Sequence, residues 1–404
     1  MAMAFYVAST SSLRWAIAGR SERKLNELRS RLILGRPKPP TTEIGVIVAS
    51  TSDKEAMNLM ARSTRLVLSA VGPYTTLGES TVKACIENGT HYADVTGEVD
   101  WVLKMKEKYQ ERAKHSGSTL CSFAGYDSVP SDISVHAAKS ALKAKSLSSA
   151  EVVVRLKGGM TPRGTIRTTI EKMPHLIDFV QSLVRYTPSD ERWTTARSLI
   201  IWLLPRWSDE FGAFTVPHFM GWCNIPVVHN SFAGKIGVFN DRMALPMSEW
   251  WTGYGFIQTV MIYAVLVVMA PISMLFLMLV VMVPSLSTLI LKLFDLLQYR
   301  GNTDWSRKVL DRASVSCWTY VSTEYGDKAT VHFFCQGDAG IKCTALLAAE
   351  TAFAMLQLDD QDKLPKGIFG SPAMVAGDAL VKRLQEEAID CSLEVTVHKS
   401  KKQC

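Results

Sequence analysis

The sequence predicts an α/β fold, in which a Rossmann-like, doubly wound parallel sheet is followed by a second α+β domain. Over residues 15–124, short apolar runs alternate with amphipathic segments, as strands alternate with helices. The connections between these segments are short, which favours one layered sheet over separate hairpins. After about residue 146 the alternation gives way to a stretch rich in Thr, Pro and Trp, typical of a separate domain with long irregular connections.

The elements of the first domain follow from the spacing of apolar residues. The run at residues 15–18 stops at Gly19 and predicts a strand, and the leucines of residues 21–34 recur at helical spacing behind it. The same patterns predict strands at residues 43–49, 65–71, 91–95 and 119–124, and helices at residues 52–63, 78–88 and 98–115. Such alternation indicates a mostly parallel sheet with helices on both faces.

The second domain shows fewer regular patterns. A strand is predicted at residues 151–157, followed by extended segments at 329–336 and 342–344, helices at 345–358 and 373–388, and a closing strand at 391–397. We place the first domain at residues 1–135, the two parts of the second domain at 136–249 and 296–404, and an apolar insert at 250–295 between those parts.

The apolar insert is the most unusual segment of the chain, because residues 250–291 contain no charged side chain. A helix of about 20 apolar residues crosses a bilayer, so one span fits easily. Pro271 and Pro284 leave a bent, re-entrant hairpin open as well. A wholly buried core helix is the alternative. Membrane insertion is favoured over it, because a soluble domain seldom surrounds so long an apolar helix on every side.

Composition excludes several classes of protein. A chain of 404 residues with 47% hydrophobic and 21% charged side chains is neither disordered nor collagenous, nor a small disulfide-stapled domain. The net charge is +7, but the basic residues are not interleaved with aromatic ones as they are in proteins that bind single-stranded nucleic acid. This argues against nucleic acid as a partner. Eight cysteines without a CxxC pair indicate a reducing compartment and no metal site. The first twelve residues resemble neither a secretory signal nor a transit peptide.

Two turns after predicted strands are candidate cofactor contacts. In Gly19-Arg20-Ser21, an arginine at the end of the second strand of a nucleotide-binding sheet would pair with a 2′-phosphate, which favours NADP over NAD. A solvated arginine that opens a helix is the competing interpretation. In Val71-Gly72-Pro73-Tyr74, Gly72 and Pro73 fix a tight loop that brings bare backbone close to a ligand, although a plain turn explains them equally well.

Two later turns carry carboxylates. In Asp94-Val-Thr-Gly-Glu98, we expect Glu98 to lie in the first turn of the next helix and Asp94 and Thr96 to act mainly in capping. In Gly125-Tyr-Asp-Ser-Val-Pro-Ser-Asp132, the last serine or aspartate caps the following helix, whereas Tyr126 and Asp127 are the candidate catalytic residues. No histidine has a partner carboxylate at a diagnostic spacing, so the histidines are expected to be structural.

The ordered set of motifs resembles the saccharopine dehydrogenase-like oxidoreductase family. The motifs are Ala18-Gly-Arg-Ser21, Val71-Gly-Pro-Tyr74, Ala84-Cys-Ile-Glu-Asn-Gly89, Ala93-Asp-Val-Thr-Gly-Glu98, Gly125 to Asp132 and Leu364-Pro-Lys-Gly-Ile-Phe-Gly-Ser-Pro372. The resemblance implies a Rossmann domain that binds NADP(H), a substrate domain, association with lipid droplets or other membranes, and kinship to enoyl reductases of glycolipid synthesis. It does not imply saccharopine as the substrate.

One departure from the family pattern concerns the cofactor. Family members begin with a strand and a G-A-S-G-F-T-G loop that cradles the phosphates, and no such loop precedes Trp15 here. Residues 4–8 could pair as an antiparallel strand, but they cannot rebuild a strand, loop and helix. We therefore hypothesise that the chain is a truncated isoform or incomplete gene model of an NADP(H)-binding parent. We also hypothesise that the 404-residue chain binds the cofactor weakly.

Two functions remain open from the sequence. The first is a membrane-associated, NADP-dependent oxidoreductase that acts on a lipid-like substrate. The second is a non-catalytic scaffold at a lipid droplet or membrane that retains a Rossmann frame. The expected locations are lipid droplets and intracellular membranes, with the mitochondrion as a further candidate, and a homodimer is left open.

Overall fold

The computed structural model describes residues 2–10, 13–34, 43–159, 176–203, 206–244, 289 and 309–400. The predicted insert at residues 250–295 lies outside the described residues except for Leu289. The chain divides into two units. Unit 1 comprises Met1–Val129 and Ile341–Asp390, and unit 2 comprises Pro130–Gly340 and Cys391–Cys404.

Unit 1 is an α/β unit with parallel strands, as the sequence predicts. Its helices are α1 (Ala2–Thr10), α2 (Glu22–Leu34), α3 (Lys54–Arg62), α4 (Tyr74–Leu77), α5 (Glu79–Glu87) and α6 (Val99–Ser116), while α7 (Val129–Leu142) begins at its boundary. Its strands before that boundary are β1 (Trp15–Gly19), β2 (Ile44–Val48), β3 (Leu66–Ser69), β4 (His91–Asp94) and β5 (Leu120–Cys121).

The strands of unit 1 form two parallel sheets. One sheet pairs β1 with β2, and the other has the order β3, β4, β5 and then a late strand, β12 (Phe369–Gly370). In the doubly wound order 3-2-1-4-5-6, β2 and β1 occupy the positions of strands 3 and 2. Strands β3, β4 and β5 occupy the positions of strands 4, 5 and 6. No strand of the described ranges fills the position between β1 and β3.

The helices of unit 1 bury their apolar faces against these strands. Leu25 and Leu32 of α2 pack in one cluster with Ile17 of β1 and Ile44 of β2. Their seven-residue spacing places both leucines on one side of the helix, as the sequence pattern requires. The described start of α3 is capped by Asp53, whose carboxylate accepts a hydrogen bond from Ala56 N at 3.0 Å.

Several predicted elements of unit 1 differ from those observed. The proposed antiparallel strand at residues 4–8 is wrong, because these residues lie in helix α1, where the Tyr6 hydroxyl donates to Glu350 Oε1 at 2.6 Å. The helix after Asp127 begins at Val129, so Ser131 and Asp132 lie inside α7 and do not cap it.

The later part of unit 1 contains the remaining helices. Residues 342–344 are not extended, because Ala339–Cys343 forms a π-helical turn that leads into α11 (Thr344–Asp360). The predicted helix at 373–388 is present as α12 (Pro372–Val375) and α13 (Gly377–Glu386). Among the described residues, one stretch, Ala339–Asp360, has the length and apolar composition of a membrane span, and 61% of its most apolar window is buried inside the protein.

Unit 2 is built on a mixed seven-stranded sheet in the order β13-β11-β10-β6-β9-β8-β7. Its strands are β6 (Leu147–Lys157), β7 (Arg206–Ser208), β8 (Ala213–Pro217), β9 (Ile236–Ala244), β10 (Ser314–Ser322), β11 (Lys328–Gln336) and β13 (Cys391–His398). Its further helices are α8 (Leu176–Arg185), α9 (Arg192–Trp202) and α10 (Gly221–Ser231). The alternately buried strand β10 and these three helices were not predicted from the sequence.

Candidate functional site

The candidate site of unit 1 lies at the carboxyl ends of β3, β4 and β5. These strands are parallel neighbours, so the loops that follow them meet at one edge of the sheet. The loops contain three of the four turns that the sequence marks as candidate sites. The fourth turn, with Arg20 and Ser21, follows β1.

Glu98 joins the loop after β4 to the loop after β3. Its carboxylate accepts hydrogen bonds from the backbone N–H of Tyr74 at 2.8 Å and from that of Thr75 at 3.1 Å. The Thr75 hydroxyl also donates to it. The expected role of Glu98 at the start of its own helix is therefore wrong in part: it occupies the N-cap position of α6 but makes no side-chain capping bond there. It orders the predicted cofactor loop instead.

Asp94 is a fully buried carboxyl group at the end of β4. Its Oδ1 accepts a hydrogen bond from Thr96 N at 3.0 Å, and its Oδ2 accepts one from the Ser122 hydroxyl at 3.1 Å. Burial raises the pKa of Asp94 to about 7, because the charged form loses water, while the hydrogen bonds act in the opposite direction. Asp94 thus orders the turn before α6 and does not cap that helix, and it is also a titratable group inside the site.

Tyr74 bonds to the end of β3 and to the loop after β4. Its hydroxyl donates to the carbonyl of Ser69 at 3.0 Å and lies 3.4 Å from Val95 N, which donates to it. Burial raises the pKa of Tyr74 well above its usual range, and the negative charges of Asp94, Glu98 and Asp127 add to this effect. The phenol therefore stays protonated at neutral pH.

The two glycines beside Tyr74 have different surroundings. A Cβ on Gly72 would meet only the Tyr74 side chain and backbone, at ordinary distances of 3.6 Å or more, and Gly72 is exposed. A Cβ on Gly78 would lie 2.6 Å from a ring carbon of Trp101 and 2.9 Å from the Tyr74 carbonyl oxygen. Gly78 is therefore required by packing, whereas Gly72 leaves open backbone at the loop surface. Pro73, between them, is buried.

Tyr126 and Asp127 follow β5 on the same edge. Tyr126 is buried, and its backbone N–H donates to the Thr344 hydroxyl at 3.2 Å, while Asp127 is half-buried. The negative charge of Asp127 raises the pKa of Tyr74, so Asp127 lies within electrostatic range of the Tyr74 hydroxyl. Phe123, just before them, is buried with a φ of 67°, a backbone strain that is frequent near functional sites.

Arg20 and Ser21 lie at the carboxyl end of β1, on the other sheet of unit 1. Arg20 is exposed and Ser21 is half-buried, in the turn that leads into α2. The Ser21 hydroxyl is 3.5 Å from Lys24 N, a long contact at the start of the helix. The structure thus groups Tyr74, Asp94, Glu98 and Asp127, whereas Arg20 and Ser21 stand on the separate sheet.

Unit 2 contains a buried polar cluster around Asp241 of β9. His218 Nδ1 lies 2.9 Å from Asp241 Oδ1, Asn224 Nδ2 donates to Oδ2 at 2.5 Å, and the Ser131 hydroxyl donates to Oδ2 at 3.4 Å. The histidine and the carboxylate are both buried. Local sequence spacing does not reveal this pair, because 23 residues separate His218 from Asp241.

Other residues near the candidate site were also missed. Thr75, Ser122 and Thr344 are contacts of Glu98, Asp94 and Tyr126, and only their positions near strand ends could have drawn attention to them. Throughout the described ranges, no group of three or more His, Cys, Asp or Glu side chains could hold a metal ion.

Comparison with known proteins finds its strongest similarity in the amino-terminal part of the chain. Residues 2–121 match the family model described as the saccharopine dehydrogenase NADP binding domain. A saccharopine dehydrogenase-like oxidoreductase from Mus musculus is 42% identical over 128 residues, which are 31% of this chain and 30% of that protein. The amino-terminal part of the chain is thus similar to saccharopine dehydrogenase-like oxidoreductases.

Other relatives of the chain have different names. A lipid droplet localized protein from Caenorhabditis elegans is 43% identical over 124 residues, 31% of this chain and 29% of that protein. The match therefore spans less than a third of the length of these first relatives. A trans-acting enoyl reductase from Mycobacterium ulcerans is 26% identical over 403 residues, which cover 94% of this chain and 91% of that enzyme.

The fold of the chain is also found in a solved structure. The apo, histidine-tagged saccharopine dehydrogenase (L-Glu forming) from Saccharomyces cerevisiae aligns over 98% of both chains with a TM-score of 0.53 and 13% sequence identity. This likeness confirms the predicted Rossmann-like fold class.

Proposed function

We propose that this chain is an NADP(H)-dependent oxidoreductase that reduces a lipid-type substrate at a membrane or lipid-droplet surface. The observation that carries the proposal is the match of residues 2–121 to an NADP binding domain, with an exposed arginine at the end of β1. The names of two relatives, a lipid droplet localized protein and a trans-acting enoyl reductase, support a lipid-type substrate.

The residues present fit the cofactor at two places. Arg20 offers an exposed guanidinium at the strand end that faces the adenosine ribose in this fold, where arginine accommodates a 2′-phosphate. Ser21, beside it, adds a hydroxyl donor. The loop Val71-Gly72-Pro73-Tyr74 has bare backbone at Gly72, and its Tyr74 N–H donates a hydrogen bond to Glu98. The sequence has no G-x-G-x-x-G loop for the diphosphate, and we assign that group no residue.

In this proposal, some side chains of the site order the cofactor loop and others supply a proton. The nicotinamide, when bound, supplies a hydride to the substrate. A proton must then reach the partner atom, and Tyr126 and Asp127 are the candidate donors because both follow β5 at the same edge. Glu98 keeps the loop after β3 ordered, and buried Asp94 holds the turn before Glu98 through Thr96.

Substrate-dependent NADPH consumption tests the proposal. The full chain is incubated with NADPH and a panel of enoyl and keto lipids in mixed vesicles, and loss of NADPH absorbance is followed with mass-spectrometric detection of reduced lipid. Stoichiometric formation of reduced lipid supports the proposal. Binding of NADPH without any reduced product across the panel contradicts it.

A non-catalytic scaffold is the second candidate, and one observation favours it. The sequence lacks the glycine-rich loop that supplies backbone N–H groups to the cofactor phosphates. A scaffold would associate with lipid vesicles to the same extent with and without NADPH and would form no reduced lipid. A shift in vesicle association or product formation on adding NADPH contradicts the scaffold.

A further inference from the structure

Helix α9 of unit 2 exposes two large apolar side chains and buries two small polar ones. Trp193 is 75% exposed, Ile200 61%, and Leu203, directly after the helix, 59%. Thr195 and Ser198 are completely buried. A surface helix of a globular domain ordinarily has the opposite arrangement, with polar residues outside.

The two faces of α9 lie on opposite sides of the helix axis. At about 100° per residue, Trp193 and Ile200 are separated by only about 20° around the helix. Thr195 and Ser198 both lie about 150° from the midpoint between them. The exposed tryptophan and isoleucine therefore lie on one side of the helix, with Ala196 and Arg197 in the turn between them. Together with Leu203, directly after the helix, we call them the apolar stripe.

Buried hydrogen bonds fix this orientation. Ser198 Oγ lies 3.0 Å from His229 Nε2 and accepts a hydrogen bond from Phe239 N at 3.2 Å. At the end of the helix, buried Arg242 donates from Nη1 to the Trp202 carbonyl at 2.8 Å. Rotating α9 to bury Trp193 would break these bonds and leave polar groups unpaired in the interior, which is unfavourable. The apolar stripe is thus exposed because the fold holds it there.

The charges on α9 indicate what covers the stripe. Arg192 and Arg197 are exposed, and residues 192–203 contain no carboxylate, while Asp190 and Glu191 directly precede the helix. Arginine can keep its head group in water while its stem lies along apolar surface, and tryptophan prefers the interface between lipid and water. An exposed apolar face flanked by cationic side chains is the pattern of a helix that lies in the surface of an anionic membrane.

We propose that α9 docks on an anionic phospholipid surface, with Trp193, Ile200 and Leu203 inserted among the lipids and Arg192 and Arg197 against the phosphates. This inference rests on the lipid-surface part of the proposed function and adds a contact separate from the charge-free residues 250–291. Those residues belong to the same stretch of chain, Pro130–Gly340, so both contacts come from unit 2.

Quenching by brominated lipids locates Trp193 directly. The full chain and its Trp193→Phe variant are mixed with vesicles of phosphatidylcholine and phosphatidylserine, with or without bromine on the acyl chains. The difference between the two emission spectra isolates Trp193, and phenylalanine preserves an apolar stripe. The proposal predicts that this difference emission moves to shorter wavelength on vesicles and loses most of its intensity on brominated ones. Vesicle-bound chain with unquenched difference emission overturns it, while leaving the general lipid association intact.

A second measurement covers the strength of docking. The double variant Trp193→Gln, Ile200→Gln is expected to bind the same vesicles about tenfold more weakly, because two apolar side chains no longer leave water. Tyr325→Gln removes another exposed aromatic ring of unit 2, 87% exposed, and should leave binding unchanged. Equal binding of the double variant and the Tyr325 control contradicts the proposal. If the double variant instead loses self-association in sedimentation velocity, the stripe is a contact between two copies, and the lipid proposal is wrong.

Discussion

The carboxylate of Glu98 accepts a hydrogen bond from the backbone N–H of Tyr74 at 2.8 Å, across 24 residues of sequence. This contact links the loops that follow two neighbouring strands, β3 and β4. A carboxylate bonded to two successive backbone N–H groups and a hydroxyl leaves the loop few alternative conformations. Glu98 therefore fixes the conformation of the loop that contains the predicted cofactor residues Gly72, Pro73 and Tyr74.

Replacement of Glu98 is expected to destabilise unit 1. Glu98→Ala removes the acceptor of two backbone N–H groups and of the Thr75 hydroxyl, so the free energy of unfolding in urea should fall by about 3 kcal/mol. Glu98→Gln keeps an amide oxygen and should lose roughly half as much. Glu111→Gln, which removes only an exposed pair with Lys114, is the matched control and should change stability by less than about 0.5 kcal/mol. Equal stability of Glu98→Ala and the control would show that the clamp has no energetic role.

The raised pKa of Asp94 predicts that the free energy of unfolding depends on pH. Its pKa of about 7 in the folded protein is above the usual value of 3.8, so the folded state binds its proton more tightly than the unfolded state does. This favourable contribution is complete below about pH 4 and is lost as the pH rises towards 7. Asp94→Asn cannot ionise and should abolish this part of the pH dependence, which amounts to at most about 4 kcal/mol. Urea unfolding at pH 5 and pH 8 checks it, and parallel profiles for the two proteins would contradict it.

The two glycines near Tyr74 should respond differently to alanine. Gly78→Ala places a methyl group against Trp101 and should lower the free energy of unfolding by about 2 kcal/mol. Gly72→Ala meets no close atom and should change stability by less than about 1 kcal/mol, while weakening NADPH binding if the loop approaches the cofactor. Thermal unfolding and NADPH titration of both variants separate the effects. A Gly72→Ala variant with unchanged NADPH affinity would remove this glycine from the cofactor site.

Asp241 is expected to stabilise unit 2. Asp241→Ala removes the acceptor for His218 and Asn224 inside the protein, so the free energy of unfolding should fall by about 3–5 kcal/mol. The exposed Asp209→Ala variant is the control and should be close to the parent. A small loss for Asp241→Ala, comparable with that of the control, would mean that water replaces the carboxylate in this cluster.

Local sequence pattern predicted most strands and helices of unit 1, because apolar spacing in β1, α2 and β2 matches the faces that become buried. Residues 4–8 were misjudged because an apolar pentapeptide fits a strand as well as a helix, and contact with Glu350 on a distant helix decides the outcome. The mixed apolar and polar pattern of α9 gave no helical signal, since its buried polar face is satisfied by His229 and Phe239 from other elements.

The candidate site was predictable only in part. Glycine, proline and carboxylate residues after apolar runs pointed to the loops at one sheet edge, and the structure places Tyr74, Asp94, Glu98 and Asp127 there. The partners of Glu98 and Asp94 were not predictable, because hydrogen bonds across 23 to 28 residues depend on which strands become neighbours. The raised pKa of Asp94 likewise follows from burial, which local spacing does not specify.

Discrimination between NADPH and NADH is the most direct test of the proposed cofactor role. Calorimetric titration of the full chain should give weak affinity for both nucleotides, with NADPH bound about tenfold more tightly because Arg20 pairs with the 2′-phosphate. Arg20→Ala should bring the two affinities to nearly the same value. Arg23→Ala, which removes an exposed arginine paired with Glu27 one turn away, should preserve the ratio. Equal affinities for NADPH and NADH in the parent chain, or a ratio unchanged by Arg20→Ala, would contradict the account.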